Sequence, residues 1–106
     1  MNSEKNNVAA LLENNVYSFK MFNGDEIVGK FRAEFDRYYI IEKPFVLMLT
    51  PQGPQFVPML LTTEQEEIPI AITAVAGYAA TKDDARAHYT ELTTGIRVQK
   101  KQIITG

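Results

Sequence analysis

The 106-residue sequence contains no cysteine and only one histidine, His88. Without cysteine the chain has no disulfide, no thiolate zinc ligand and no thiol nucleophile. A single histidine cannot complete a zinc site with nitrogen or sulfur ligands in one subunit. These absences favour a reducing compartment, and we predict neither a metal site nor a cofactor.

Long apolar runs and a strong charge imbalance are also missing. No apolar stretch approaches the roughly 18 residues of a transmembrane helix, and the N-terminus lacks the basic start and apolar run of a secretory signal. The net charge of −2 predicts no global attraction to phosphate backbones. We therefore expect a cytoplasmic protein without a membrane partner, in which any nucleic-acid site is local.

Motifs of catalysis are absent as well. The sequence has no phosphate-binding glycine loop and no nucleophile elbow. His88 falls in a predicted helix, where a solvated or partly packed side chain explains it better than a catalytic base or a ligand does. The sequence therefore predicts a protein that is not an enzyme.

One mainly β domain of 106 residues is predicted from the length and from the hydrophobic fraction of 45%. Residues 16–21 alternate apolar and polar side chains, and Asn23-Gly24 supplies the positive φ of a tight hairpin turn. A second strand follows over residues 27–35, and its glycine, Gly29, predicts a bend or the close approach of another backbone. Period-two alternation places five residues of this strand on one face: Ile27, Gly29, Phe31, Ala33 and Phe35.

Three further strands are predicted before the chain reaches Gly77. The third begins near Tyr38 and continues to residue 49, with a bulge or edge at Pro44. The fourth occupies residues 55–62 and the fifth residues 68–76. The strands together span residues 16–77.

Residues 78–106 form a C-terminal extension with one short helix. Thr81 begins a capping-box pattern, helical spacing follows, and Gly95 ends the helix.

An N-terminal helix is predicted over residues 1–15. Val8, Leu11 and Leu12 fall at i, i+3 and i+4, and Ser3 can cap the first amides. Because so short a helix is marginal alone, its apolar stripe must lie on the domain or on a neighbouring subunit. Alternatively, the helix recognises a partner protein.

The stretch from residue 16 to residue 44 resembles the first sequence motif of the Sm and Sm-like (Lsm) family. Gly24 and Gly29 stand five apart, alternating apolar residues precede the turn, and Phe31 occupies the apolar position two beyond. The glycine spacing and the C-terminal helix look most like phage-borne and metagenomic members. The resemblance implies a small, strongly bent, five-stranded antiparallel barrel whose edge strands pair into a ring of five to seven subunits, with Gly24, Gly29 and Gly77 as structural glycines.

In that family an aspartate, an aromatic or histidine side chain two residues later and an asparagine two further on hold RNA bases near the pore. The resemblance carries the first two roles to Asp36 and Tyr38, whereas Ile40 stands in the third position. Ala76 stands where the second family motif has arginine. The predicted RNA-binding residues are Lys30, Arg32, Asp36, Arg37, Tyr38 and Tyr39.

Two functions remain open from the sequence. In the first, the ring binds single-stranded RNA at its pore and acts in RNA metabolism or regulation. In the second, the ring is a structural or adaptor protein that meets another protein through the N-terminal helix or the acidic loop at residues 64–67. The second is favoured because Ile40 and Ala76 stand where the family has RNA-binding asparagine and arginine. The alternative to RNA binding is that Tyr38 or Tyr39 packs in the barrel or the subunit interface and that Asp36 caps a turn.

Overall fold

The computed structural model describes residues 10–95, which form an antiparallel sheet of six strands and one C-terminal helix. The prediction of a mainly β chain with a helix after its strands is confirmed. A 3-10 turn, Ile72–Ala74, joins the last two strands. The elements are β1 (Val16–Met21), β2 (Glu26–Phe35), β3 (Tyr38–Thr50), β4 (Gly53–Pro58), β5 (Glu67–Ala71), β6 (Val75–Ala80) and α1 (Asp83–Thr94).

The sheet is open, so the predicted closed barrel is wrong. Its strand order is β4-β3-β2-β1-β6, and β5 pairs with the first half of β3 while β4 pairs with the second half. The sheet is nevertheless strongly curved. This is shown by Tyr39 of β3 and Tyr78 of β6, whose ring centroids lie 6.4 Å apart although β2 and β1 separate the two strands. Within residues 10–95 no strand pairing joins β6 to β4 or β5, so both edges stay open.

The first hairpin forms as its glycines predict. Gly24 has φ 98°, and its amide donates to the Met21 carbonyl at 2.9 Å. At Gly29, a Cβ would collide with Cγ2 of Ile41 and lie 3.3 Å from the Glu42 carbonyl oxygen. Gly29 therefore permits the close approach of β3, which is one of the two predicted alternatives.

The N-terminal helix is not seen. Residues 10–15 contain no helix, and residues 1–9 of the prediction lie outside the described part of the chain. The Asn14 amide donates to the Phe31 carbonyl, and the Phe31 amide donates to the Asn15 carbonyl. This bonding to β2, together with φ 75° at Asn14, is incompatible with a helix continuing to residue 15.

The predicted strand boundaries fail after residue 50. The fourth strand starts earlier and ends at Pro58. The predicted fifth strand is two strands, because the 3-10 turn interrupts it and β6 continues through Gly77 to Ala80. The sequence shows no break there, since isoleucine and alanine continue across residues 68–76.

The two faces of the sheet pack differently. The inner face holds the main core, whose buried side chains are Tyr17, Phe19, Met21, Ile27, Phe31, Ile41, Ile68 and Ile70. On the outer face, α1 packs Tyr89 against Val16 and Val28. The Tyr89 hydroxyl donates to the Glu42 carbonyl at 2.6 Å, beside the break in the β2–β3 ladder at Gly29. A buried side chain thus bonds to a backbone carbonyl next to the irregular part of the β2–β3 ladder.

The start of α1 also differs from its prediction, although its end does not. Lys82 is the N-cap and makes no side-chain capping bond. Thr81, the predicted capping residue, shares a 2.8 Å hydrogen bond with Ser18 Oγ on β1. At the other end, Gly95 adopts the left-handed conformation with φ 75°, as a C-terminal glycine should.

Candidate functional site

Asp36 and Arg37 form the two-residue turn that connects β2 to β3. Their φ values are 51° and 70°, and the flanking residues, Phe35 and Tyr38, are paired across the hairpin. A two-residue turn with positive φ at both positions is typical of a type I′ hairpin, which favours Asn-Gly. Arginine at the second position strains the backbone, and such strain is concentrated at functional sites.

The 3-10 turn holds this hairpin end in place. The Arg37 carbonyl accepts a 3.0 Å hydrogen bond from the Ile72 amide, and the Ala74 carbonyl accepts one of 2.9 Å from the Phe22 amide. The 3-10 turn thus bonds to both the β2–β3 turn and the β1–β2 turn. The position of Arg37 is therefore fixed by backbone contacts that do not use its side chain.

Two aromatic side chains flank the turn and are open to solvent. Phe35 is 70% exposed and Tyr38 is 42% exposed. Because they are directly opposite in the antiparallel register, they lie on the same face of the hairpin, with their Cβ atoms about 5 Å apart. We call residues 35–38 the hairpin tip.

Phe35 is the functional candidate that period-two alternation misses. Alternation from Phe31 places Phe35 on the buried face, but Phe31 pairs with Ile41 and Ala33 pairs with Ile40, so Arg32 is an extra residue in β2. This bulge reverses the faces of the residues that follow it. Nothing in the local sequence marks the bulge.

The outer face of the hairpin continues as an apolar surface across β5. Ala33 pairs with Ile40, which pairs with Pro69, and Tyr38 pairs with Ala71. The alternate residues of β3, Tyr39 and Ile41, face the core. We call the set Ala33, Phe35, Tyr38, Ile40, Pro69 and Ala71 the outer apolar face.

The charged side chains of the tip have no polar partner among residues 10–95. Among residues 10–95, neither the Arg37 guanidinium nor the Asp36 carboxylate makes a hydrogen bond or an ion pair within 4.0 Å. The guanidinium can therefore meet a phosphate or a carboxylate of a ligand without first breaking an internal contact.

Tyr39, predicted to bind RNA, lies instead against the core. Its ring contacts Phe19 and Phe31, each at a centroid distance of 6.0 Å. Burial, with smaller contributions from Tyr78 and Glu34, raises the pKa of Tyr39. Its position is that of a packing residue.

Arg32 lies apart from the tip in a cluster of carboxylates. Its guanidinium nitrogens lie 3.6 Å from Glu13, 3.3 Å from Glu42 and 3.6 Å from Glu67. Nη1 also donates to Asn14 at 2.8 Å. Three negative charges surround one positive charge, so this cluster repels phosphate.

Lys30 is half-buried and also distant from the tip along β2. It lines a cavity together with Arg86 and Thr90 of α1. Of the six predicted RNA-binding residues, the structure therefore brings Asp36, Arg37 and Tyr38 together and separates the other three.

A larger cavity of about 590 Å³ lies between the outer face of the sheet and the first half of α1. Val28, Leu47 and Phe56 line it, and His88 packs on the Phe56 ring at a centroid distance of 5.1 Å. None of the predicted binding residues lines this cavity. His88 is thus a partly packed helix residue, and its Nδ1 lies 4.0 Å from Glu91 Oε1.

Residues 10–95 contain no group of three histidine, cysteine, aspartate or glutamate side chains arranged to hold a metal ion. The described helix is too short and too polar to cross a membrane.

Comparison with known proteins assigns neither a family nor a function to the chain. No protein-family model matches the chain, and no curated protein is detectably similar to it in sequence.

Proposed function

We propose that the protein is an Sm-like oligomer that binds single-stranded RNA at the hairpin tip. This proposal rests mainly on Arg37. The residue has the positive φ that favours glycine, and its guanidinium makes no hydrogen bond or ion pair within residues 10–95. No such hydrogen bond or ion pair therefore offsets the strain. Binding of a ligand to the guanidinium would explain an arginine at this position, whereas stability of the fold does not.

The neighbouring rings support nucleic acid as that ligand. Phe35 and Tyr38 present aromatic surface beside Arg37, and stacking of a base on an aromatic ring contributes roughly 1–3 kcal/mol. Arginine can bind the phosphate between stacked bases in a bidentate manner. Two aromatic rings that stack on bases and one arginine that binds a phosphate are sufficient for weak binding at one subunit.

Assembly would bring several tips together. β6 has one unpaired edge within residues 10–95, and its exposed residues Ala76, Gly77 and Ala79 are small enough for close approach of another strand. β5 also has one edge without a described partner. Pairing of these edges between subunits removes an aggregation hazard and closes a ring of five to seven copies in which the tips repeat. Light scattering tests this step, and a monomer would contradict it.

Fluorescence anisotropy with oligo-uridine tests RNA binding. We expect salt-sensitive binding below roughly 100 μM, within the range of nonspecific complexes. Arg37→Gly should reduce binding strongly, whereas Arg86→Gln, which removes the same charge from α1, should not. No binding up to that concentration, or equal effects of the two substitutions, would refute RNA binding at the tip.

A second candidate is the ring-forming structural or adaptor protein. Leu49, in the second half of β3, and Leu61, after the end of β4, are 82% and 75% exposed, and apolar side chains of this size are typical of protein interfaces. Leu49→Glu combined with Leu61→Glu distinguishes the two functions. It should abolish association with another protein if the adaptor function is correct, and it should leave oligo-uridine binding unchanged if RNA is the ligand.

A further inference from the structure

We infer that the hairpin tip binds single-stranded nucleic acid without reading the base or the sugar, over a footprint of about two nucleotides per subunit. This inference rests on the proposed function and specifies its ligand class. It follows from what surrounds Phe35, Arg37 and Tyr38.

The stacking surfaces do not select a base. Phe35 and Tyr38 are opposite each other in the register and both are exposed, so adjacent bases of one strand can each stack on a ring. Every base has an aromatic face, and stacking is therefore tolerant of sequence. The Asp36 carboxylate accepts hydrogen bonds, but each of the four RNA bases carries an N–H donor, so this group alone distinguishes none of them.

Among the described residues, the outer apolar face next to the tip offers no side chain that could read the sugar. A protein tells RNA from DNA by a polar group that bonds the 2′-hydroxyl. Beside the tip, the outer apolar face presents Ala33, Ile40, Pro69 and Ala71, which carry no polar side-chain atom. A ribose and a deoxyribose that lie on these four residues therefore meet the same apolar surface.

The carboxylate cluster limits the length of the footprint. Further along the outer face, Glu42 pairs with Glu67 in the strand register, and both surround Arg32 with Glu13. The excess negative charge repels a phosphate backbone that extends from the tip across this face. Binding at one subunit then neutralises about one phosphate, for which the slope of log K against log salt is about −0.7.

Anisotropy with labelled tetranucleotides of uridine, adenosine and thymidine tests this inference, with the full chain at one protein concentration. We expect affinities within about threefold of one another and a salt slope near −0.7 for each. Phe35→Ala should weaken all three by a similar factor of about ten, and Phe35→Tyr should restore binding because it keeps the ring.

The outcomes separate the inference from the function on which it rests. A preference above about tenfold for one base, or for RNA over DNA, would overturn the inference and leave RNA binding at the tip intact. A loss of binding in Phe35→Ala for one polymer alone would also overturn it. Absence of binding to all three polymers would refute the proposed function itself.

Discussion

Arg37→Gly should stabilise the folded chain while it removes the proposed ligand contact. The left-handed conformation at φ 70° costs an L-residue about 1–2 kcal/mol. Glycine relieves this strain but gives the unfolded chain more conformational freedom, which opposes the gain by about 0.5–1 kcal/mol. The net free energy of unfolding should rise by about 0.5–1 kcal/mol, because the substitution removes no described hydrogen bond or ion pair of the Arg37 side chain.

Thermal unfolding followed by circular dichroism measures this effect, at equal protein concentration because assembly also shifts Tm. For a chain of this size the expected rise in Tm is about 2–4 °C. Lys43→Gly is the matched control: Lys43 has φ 48°, but its ammonium donates to the Thr93 carbonyl at 3.0 Å and approaches Glu66 at 3.7 Å. Its loss of contacts should cancel the relief of strain, so Tm should not rise.

The reasoning would be refuted if Arg37→Gly lowered Tm, because the side chain would then make a stabilising contact that the structure does not contain. A rise in Tm without any loss of oligonucleotide binding would support backbone strain at Arg37 but would contradict its role in ligand binding.

Three further predictions concern the contacts between β2, β3 and α1. Gly29→Ala should destabilise the fold by about 1–3 kcal/mol in urea unfolding, because the added Cβ meets Ile41 and the β3 backbone; an unchanged midpoint would show that β3 can move away. Tyr89→Phe should cost about 1–3 kcal/mol, since the Glu42 carbonyl loses its 2.6 Å donor, and a neutral result would mean that water replaces the hydroxyl. Burial raises the pKa of Tyr89 above its ordinary value of 10.0, so the folded chain keeps a proton that the unfolded chain releases. Stability should be constant with respect to this group below pH 10 and fall above it by up to about 1.4 kcal/mol per pH unit, and Tyr89→Phe should reduce that slope.

Turn chemistry and glycine placement made the first half of the fold predictable. Asn23-Gly24 and Gly29 have local causes, namely a positive φ and the close approach of β3, and both act where the sequence places them. Gly95 ends α1 for the same kind of local reason.

Features set by contacts far apart in the chain were not predictable. Thr81 bonds to Ser18 on β1 and therefore does not cap α1. The bulge at Arg32, which exposes Phe35, is defined only by the pairing of β2 with β3. The open sheet, too, depends on which strands pair, and an alternating pattern does not contain that information.

The candidate site was predictable in part for the same reason. Asp36, Arg37 and Tyr38 are adjacent in sequence and stay adjacent in the tip. Arg32 pairs with carboxylates from three other segments, and Tyr39 packs against β1 and β2, so neither position follows from its neighbours in the chain.

The most direct test of RNA binding at the hairpin tip is a titration of the ¹⁵N-labelled protein with oligo-uridine, followed by amide chemical shifts. The account predicts that the largest shifts occur at residues 35–38 and at Ile72–Ala74, whose backbone is bonded to Arg37. Shifts confined to the second half of β3 and to β4, or to the cavity beside His88, would contradict it.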